Sequence, residues 1–361
     1  MAPRRSPRAM CGRFSSGRLG AVARVARSPS LMIVSKTPLR VSFAGGGTDL
    51  PDFSQEHGGA VVSTAIDKWI RVIVARRFEG DIRVAYSRTE TVATADEVEH
   101  ELVREALRAT GLPRGLDIVT LADVPSRGTG LGSSSAVLVG LLSALYAYQG
   151  IQRSATALAE QACEIEIGVL GKPIGRQDQY AVAHGGFNLI EFLPGGGGVR
   201  VRPVVAPAHT LERLHQTLML FYTGRQRSAA DVLLEQRQAV RDGSALETLG
   251  AMRDLAYAMN DALGEGDIDT FGSILHRNWE LKRTLAGGVS DREIDALYDR
   301  AMSAGAIGGK LLGAGAGGFL LFLAPAERHA AIRAQLRDLR ETPFRFAASG
   351  SHIQLFEDPE R

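Results

Sequence analysis

Residues 125–135 read Pro-Ser-Arg-Gly-Thr-Gly-Leu-Gly-Ser-Ser-Ser, and the rest of the chain is best interpreted from this stretch outward. Glycine stands at every second position (Gly128, Gly130 and Gly132), and three serines and a long apolar run follow. Glycine allows positive φ and lets a ligand approach the backbone closely. Free N–H groups at a helix N-terminus bind anions, because the unpaired donors and the helix dipole both favour negative charge. The stretch therefore predicts a phosphate-binding loop.

This loop differs from the two common nucleotide-binding motifs. It lacks the Lys-Ser/Thr ending of a Walker A loop, and its glycine spacing is not that of a dinucleotide fold. A glycine- and serine-rich turn before a helix is more often an ordinary helix cap. The phosphate interpretation therefore depends on what the rest of the chain contains.

Composition limits the class of protein. A chain of 361 residues is long for one hydrophobic core and predicts two domains. No apolar run approaches the roughly 20 residues that span a bilayer, and a net charge of +2 argues against a nucleic-acid partner. The two cysteines, Cys11 and Cys163, lie far apart and suggest no disulfide framework. We therefore expect a cytoplasmic protein with neither a membrane nor a nucleic-acid partner.

The first 30 residues differ from the remainder. They contain seven arginines and no acidic residue. Such a composition is typical of an organelle transit peptide, but also of a disordered tail or of sequence upstream of a start at Met32. We favour a disordered or mis-assigned extension at residues 1–30.

The remaining chain divides into two patterned parts. Short β-branched runs and amphipathic helices alternate from residue 31, and the pattern restarts near residue 217. Pro38 predicts an edge or a bulge in the first strand, and Ser154 predicts the start of a helix over 155–170. The order of elements predicts an α+β fold with domains at residues 31–207 and 208–361.

A second glycine loop follows the first strand. Arg40 precedes Gly45, Gly46 and Gly47, and Thr48 and Asp49 come directly after them. Charged groups around a flexible loop commonly bind sugar hydroxyls or phosphates, but a surface turn with a solvated aspartate has the same pattern. The residues alone leave both interpretations open.

Taken together, these loops resemble the GHMP kinase superfamily. Its three motifs are similar to residues 40–49, 125–136 and 312–319, in the same order, and the resemblance runs from about residue 32 to 356. Within the superfamily, the chain looks most like the D-glycero-D-manno-heptose 7-phosphate kinases. The stretches that carry this similarity are 37–51, 175–181, 185–188, 222–224, 279–283 and 309–319. Galactokinases place Glu-His where this chain has Gly46-Gly47.

The resemblance implies a fold and a cofactor site. The fold is α+β with two domains, an N-terminal ribosomal S5 domain 2-like domain and a C-terminal ferredoxin-like α/β sandwich. ATP phosphates would bind to backbone N–H groups of the central loop, which comprises Gly128, Gly130, Leu131, Gly132, Ser133, Ser134 and Ser135. Mg²⁺ would be held by Glu166 and Ser134 (or Ser133), because a hard cation takes a carboxylate and oxygen donors. Glu164 lies on another helical face and is expected to be solvated.

The resemblance also implies catalytic and substrate residues. Asp178 would accept or orient the proton of the sugar hydroxyl, and Arg40 would stabilise charge on the transferring phosphoryl group. Without the resemblance, Asp178 would more often be a turn residue. The implied sugar-binding residues are Gly46, Gly47, Thr48, Asp49, Arg176 and Gly315. Cations for a second phosphate would come from Lys172, Arg176, Arg225 or Lys282, among which the sequence does not choose.

The expected activity is transfer of the γ-phosphate of ATP to the anomeric hydroxyl of a heptose 7-phosphate. The partner is thus a small sugar phosphate, and a homodimer is compatible with the resemblance. Two alternatives stay open: a hexose 1-kinase of the fucose or galactose type, and a non-catalytic sugar sensor. The presence of Arg40, Glu166 and Asp178 together favours catalysis.

Overall fold

The computed structural model describes residues 32–125, 128–225, 230–315 and 317–356. The predicted extension at residues 1–30 lies outside the described residues. The strands are β1 (Met32–Ala44), β2 (Gly59–Arg76), β3 (Ile82–Ala85), β4 (Thr89–Val92), β5 (Leu116–Ala122), β6 (Phe187–Phe192), β7 (Val199–Pro203), β8 (Leu218–Tyr222), β9 (Gly308–Leu311), β10 (Phe319–Leu323), β11 (Arg340–Glu341) and β12 (His352–Phe356).

The helices alternate with these strands in two groups. They are α1 (Pro51–His57), α2 (Glu101–Thr110), α3 (Ser133–Tyr148), α4 (Ala155–Cys163), α5 (Gln177–His184), α6 (Ala208–Thr217), α7 (Ala230–Arg241), α8 (Leu246–Glu265), α9 (Ile268–Arg283), α10 (Arg292–Ser303) and α11 (His329–Gln335). A π-helical turn at Glu164–Val169 continues α4. No helix in the described part of the chain is long and apolar enough to cross a membrane.

The first sheet is built around the long strand β2. The strand order is β12-β1-β2-β5-β3-β4, and β6 with β7 attaches to the first half of β2. Residues 59–64 of β2 pair with β6, whereas residues 70–76 pair with β5. Proline has no N–H for a ladder, and the register of β1 shifts between Pro38 and Leu39, which confirms the predicted bulge. The apolar helix α3 is buried almost throughout and packs on β1 and β2.

The second sheet has the strand order β11-β8-β10-β9, with antiparallel pairing at each step. Helices α7 to α10 connect its first strand to its second, and α11 connects its third strand to its fourth. This βαββαβ arrangement is the ferredoxin-like pattern. The predicted α+β fold is therefore confirmed.

The last described strand returns to the first sheet. Residues of β12 pair antiparallel with β1, from Met32 opposite Phe356 to Lys36 opposite His352. The predicted division at residues 207 and 208 stays a prediction, but β12, which it assigns to the second domain, completes the sheet of the first.

The helix expected over residues 155–170 changes character in its middle. The Ser154 hydroxyl accepts a hydrogen bond from the Ala157 N–H at 3.2 Å, so the predicted N-cap is confirmed. From Glu164 the backbone adopts a wider turn, in which the Leu170 N–H donates to the Ile165 carbonyl. Such π-turns are rare in proteins, but those that occur are often found at functional sites. This one carries Glu166.

Candidate active site

A cleft of about 1200 Å³ lies where the glycine loops of the two halves meet. It is lined by the loop after β1, the loop before α3, the start of α5, the C-terminal part of α9 and the loop after β9. These segments are distant in sequence, and the two sheets bring them to one place. The predicted site residues are therefore best located relative to this cleft.

The central glycine loop has the conformation that its sequence predicts. Gly128, Gly130 and Gly132 have φ values of 65°, 72° and 76°, in the left-handed region that favours glycine. The loop leads directly into α3, so free N–H groups and the helix dipole point in one direction. Gly128, Gly130, Gly132, Ser133 and Ser134 line the cleft. Leu131 and Ser135 are buried beneath the loop.

Arg40 and Asp178 form a bidentate ion pair at the base of this loop. Arg40 Nε donates to Asp178 Oδ1 at 2.8 Å, and Arg40 Nη2 donates to Asp178 Oδ2 at 2.7 Å. Arg40 Nη1 also donates to the carbonyl of Gly130. The side chain of Asp178 is 24% exposed and that of Arg40 is 5% exposed. The pair is thus held rigidly against the loop while the carboxylate faces the cleft.

Glu166 is a fully buried carboxylate beside the start of α3. Its Oε1 accepts a hydrogen bond from Ser134 Oγ at 2.5 Å, and its Oε2 accepts from Ser135 Oγ and from Gln179 Nε2, both at 2.7 Å. Lys172 Nζ lies 3.8 Å from Glu166 Oε1 and 3.4 Å from Ser134 Oγ. The structure therefore brings Ser134 and Glu166 together, as predicted for a metal-binding pair, and leaves Glu164 exposed on the same turn.

The chemistry of this donor set fits Mg²⁺. The cation prefers oxygen ligands, keeps several waters, and is usually held by one or two carboxylates together with substrate phosphates. Ser134 and Glu166 offer one hydroxyl and one carboxylate at the N-terminus of α3. No cluster of three His, Cys, Asp or Glu side chains that could form a closed metal site occurs in the described residues.

Asp49 is buried in the loop after β1 and is held by three donors. Its carboxylate accepts from the Gly47 N–H at 3.0 Å and from the N–H and Nε2 of Gln177, both at 3.1 Å. Burial raises the pKa of the Asp49 carboxyl, and the N–H donors of Gly47 and Gln177 oppose that rise. This carboxylate fixes the glycine loop after β1 to the start of α5.

Three other predicted sugar-binding residues have different surroundings. The Thr48 hydroxyl lies within hydrogen-bonding distance of the carbonyls of Gly45 and Ala60 and accepts from the Ala60 N–H, so it shapes the loop. Arg176 donates to Ser54 Oγ and lies over the Phe192 ring. A Cβ on Gly315 would meet the backbone of Val289 at 2.6 Å. Thr48, Arg176 and Gly315 are absent from the described lining of the cleft, which Gly46, Gly47 and Asp49 do reach.

Two buried lysines line the cleft. Lys282 Nζ donates to the Gly313 carbonyl at 2.6 Å, and burial lowers the pKa of Lys282 to about 8. Lys310 Nζ donates to the carbonyls of Ser42 and Phe43, and burial holds its pKa well below the usual value. The sequence analysis assigned no role to Lys310. The sequence does mark this residue, because it is the only charged residue in the apolar, glycine-rich run 306–323.

The cleft lining also contains apolar and aromatic side chains that the sequence analysis did not predict. They are Ile70, Tyr86, Leu102, Leu121, Val124 and Val137, and the charged residues Arg88, Glu99, Glu101 and Arg104 lie among them. Tyr86 packs edge-on against His100, with 4.7 Å between ring centroids. Leu121 is 51% exposed, which is unusual for a leucine and leaves an apolar surface free to contact a ligand.

Two family descriptions and a characterised kinase match this chain. Residues 92–186 match the family described as GHMP kinases N terminal domain, and residues 259–341 match GHMP kinases C terminal. The chain is 31% identical over 317 residues to D-glycero-alpha-D-manno-heptose 7-phosphate kinase of Campylobacter jejuni, covering 84% of this chain and 92% of that protein.

Two further similarities concern a structure and a different sugar. The crystal structure of a D-glycero-D-manno-heptose 1-phosphate kinase from Bacteroides thetaiotaomicron superposes with a TM-score of 0.74 at 27% identity, covering 90% of this chain and 100% of that chain. The bifunctional fucokinase/GDP-fucose pyrophosphorylase of Arabidopsis thaliana is 29% identical over 329 residues, covering 84% of this chain. The chain spans about a third (31%) of that longer protein.

Proposed function

This chain belongs to the GHMP kinases and is an ATP-dependent sugar kinase, and we propose that it phosphorylates the anomeric hydroxyl of D-glycero-D-manno-heptose 7-phosphate. The product is the 1,7-bisphosphate, an intermediate suited to nucleotide-activated heptose synthesis. The proposed reaction rests on the Arg40–Asp178 pair at the base of the glycine loop. The proposed sugar rests on the similarity to the Campylobacter jejuni kinase.

In the proposed mechanism, ATP binds along the glycine loop. Its triphosphate accepts hydrogen bonds from the N–H groups of residues 128–135, and its base packs against the apolar lining near Tyr86 and Leu121. Ser134 and Glu166 would hold Mg²⁺, which would supply neutralisation of the charge on the triphosphate.

Asp178 and Arg40 have complementary roles in the transfer step. Asp178 orients the acceptor hydroxyl and accepts its proton as the new bond from O1 to the γ-phosphorus forms and the bond from that phosphorus to ADP breaks. Arg40 lies between Asp178 and the Gly130 carbonyl and stabilises charge on the transferring group. Phosphoryl transfer requires mainly positioning of the reactants and stabilisation of charge, and Arg40 and Asp178 can supply both.

A coupled ADP-release assay tests the proposal. Purified protein receives Mg-ATP and one of five acceptors: heptose 7-phosphate, sedoheptulose 7-phosphate, fucose, galactose or mannose. We expect turnover with heptose 7-phosphate and at most 1% of that kcat/KM with the others. Turnover with fucose alone would support the second candidate, a fucose 1-kinase, which the similarity to the Arabidopsis thaliana protein favours. Silence with every acceptor while ATP binds would support a sugar sensor.

Localisation and assembly belong to the same proposal. We place the enzyme in the cytoplasm, where ATP and sugar phosphates are available. A homodimer stays a prediction, and light scattering of the purified protein measures it directly.

A further inference from the structure

Three polar side-chain atoms surround the position that a Cβ on residue 46 would occupy. A Cβ built on Gly46 would lie 3.7 Å from each of Ser42 Oγ, Gln177 Nε2 and Lys282 Nζ. All four residues line the cleft. Their atoms stand at ordinary van der Waals distance from that point, so a ligand oxygen placed slightly farther out is within hydrogen-bonding reach. We call these four residues the Gly46 pocket.

The pocket contains hydrogen-bonding capacity that the protein does not use. Ser42 is 6% exposed and its Oγ has no hydrogen-bond partner, and Gln177 Nε2 donates one N–H to Asp49 Oδ1 and keeps the other. Lys282 is also 6% exposed and spends one of its three donors on the Gly313 carbonyl. Buried polar groups are normally paired, so unpaired groups that face a cleft indicate a ligand.

The charge of Lys282 is not balanced by a contact. No carboxylate among the described residues forms an ion pair with Lys282 within 4.0 Å. Asp49 and Asp178 lie near enough to favour the charged form of Lys282, but neither contacts it, because Asp49 is held by Gly47 and Gln177, and Asp178 is paired with Arg40. A second buried lysine, Lys310, lies on the same side and donates only to carbonyls. Two N–H donors of the buried Lys282 cation therefore remain available to an anionic ligand.

The other three cations that the sequence offered for a second phosphate are engaged elsewhere. Arg225 pairs with Asp291 and Glu293. Arg176 lies over Phe192, outside the cleft lining. Lys172 lies beside Glu166 and pairs with Glu101 at 2.9 Å, on the side of the proposed metal pair. Only Lys282, of these four, faces the Gly46 pocket.

We propose that the Gly46 pocket binds the phosphate that the acceptor sugar already carries, with Lys282 as its counter-charge. Phosphate oxygens accept charge-assisted hydrogen bonds from Lys282 Nζ and hydrogen bonds from Ser42 Oγ and Gln177 Nε2. Glycine is needed at residue 46 for space, because any side chain would occupy the position of the phosphate. This inference deepens the proposed function and rests on it for the identity of the sugar.

Substrate discrimination tests the proposal. The full-length enzyme is assayed with Mg-ATP and either D-glycero-D-manno-heptose 7-phosphate or the same heptose without its phosphate. We expect Lys282→Met to lower kcat/KM for the phosphorylated sugar about 10- to 150-fold more than for the unphosphorylated one, as expected for a hydrogen bond to a charged group. Lys68→Met, a lysine of β2 that pairs with Asp67, is the control. An equal loss with both sugars would place Lys282 at the transferring phosphoryl group and overturn the proposal.

Gly46→Ala gives a second variant that keeps the protein folded. The built Cβ has no contact under 3.4 Å, and Gly46 does not have a positive φ. We expect KM for the phosphorylated sugar to rise at least tenfold, with KM for ATP unchanged and an unaltered circular dichroism spectrum. An unchanged KM for the sugar in a folded Gly46→Ala protein would show that the pocket is not used.

Calorimetry with inorganic phosphate separates this proposal from the proposed function. If the wild type uses neither heptose, the proposed function fails, but phosphate binding still reports on the pocket. Binding to the wild type that is lost in Lys282→Met supports a phosphate subsite. Absence of binding to the wild type, or equal binding to both proteins, overturns it.

Discussion

At the scale of single residues, Asp178 is the carboxylate on which turnover depends. We expect Asp178→Asn to lower kcat by about 10²- to 10⁴-fold, because the amide cannot accept the hydroxyl proton. Nucleotide binding should be nearly unchanged, since the glycine loop is intact. ADP release and calorimetric titration with ATP measure the two effects. Asp261→Asn, an exposed aspartate of α8, is the matched control. Unchanged turnover would remove Asp178 from the mechanism.

Glu166 and Glu164 form a natural pair for testing the metal assignment. Both lie on the π-turn, but Glu166 is fully buried against Ser134 and Ser135, whereas Glu164 is exposed. We expect Glu166→Gln to raise the Mg²⁺ concentration for half-maximal activity at least tenfold and to weaken Mn²⁺ binding measured by electron paramagnetic resonance. Glu164→Gln should change neither quantity. Equal behaviour of the two variants would contradict the assignment.

Lys282 makes sugar-phosphate binding depend on pH. Burial lowers the pKa of Lys282 to about 8, the cation Arg40 adds to that lowering, and Asp49 and Asp178 oppose it. Lys310 lies nearby, with its own pKa held low. Phosphate esters are fully ionised above about pH 7, and the binding form of Lys282 is protonated. The dissociation constant should therefore rise about tenfold per pH unit above pH 8. Calorimetry between pH 7 and 9.5 measures this, and Lys282→Met should show a flat profile.

The sequence could predict some of these residues but not their use. Arg40 and Asp178 could be proposed because they lie in stretches that resemble the family, and Glu166 because the resemblance implies a metal-binding carboxylate at that position. The sequence does not show that the Ser42 hydroxyl lacks a partner or that Lys282 keeps free donors. Both properties are set by the positions of atoms from other segments of the chain. Hydrogen bonds that join Lys310 to β1, or Gln177 to Asp49, span parts of the chain that a linear pattern does not relate.

At the scale of elements, the loop before α3 and the loop after β9 pack against each other through their backbones. A Cβ on Gly130 would lie 2.2 Å from the Leu312 carbonyl oxygen, and a Cβ on Gly313 would lie 2.5 Å from the Gly130 Cα. Both glycines also have positive φ. The phosphate loop is thus shaped partly by the loop that follows β9.

This interlocking predicts a shared effect of two distant substitutions. Gly130→Ala and Gly313→Ala should each weaken ATP binding at least tenfold, because the loops must move apart. Gly168→Ala is the control, since its Cβ meets nothing within 4 Å. Replacing this exposed helical glycine should raise stability by about 0.5–1 kcal/mol with kcat unchanged. Calorimetry and thermal unfolding measure these effects. Normal ATP binding in Gly313→Ala would show that the loop after β9 does not support the phosphate loop.

The π-turn at Glu164–Val169 is a part of the secondary structure that the sequence could not predict. The apolar spacing over residues 155–170 is that of one helix, and the structure has one continuous helical segment there. The change from α to π hydrogen bonding depends on the contacts that bury Glu166 next to α3 and α5. Those contacts are tertiary, so the local sequence pattern could not predict them.

At the scale of the whole molecule, β12 ties the end of the described chain to its beginning. Removing residues 352–361 should expose the edge of β1 and lower Tm by at least about 5 °C. A chain that lacks only residues 357–361, which lie outside the described part, keeps β12 and is the control. Differential scanning calorimetry measures both proteins. Equal Tm values would mean that β12 adds nothing to the first sheet.

The two-part architecture could be predicted because hydrophobic periodicity restarts near residue 217, but the return of β12 could not. A short strand such as His352–Phe356 has no local feature that selects β1 over the nearer β8 or β11. Its partner is decided by which sheet edge remains open after the other strands have paired.

The pairing of β12 with β1 also has a consequence during translation. The first strand leaves the ribosome long before its outer neighbour has been made, so the edge of β1 is open throughout synthesis of the second half. Open strand edges recruit other chains, and contacts between distant residues form slowly. The nascent chain is therefore most exposed to aggregation just before β12 emerges, and a chaperone that shields β1 until then would raise the yield of folded enzyme.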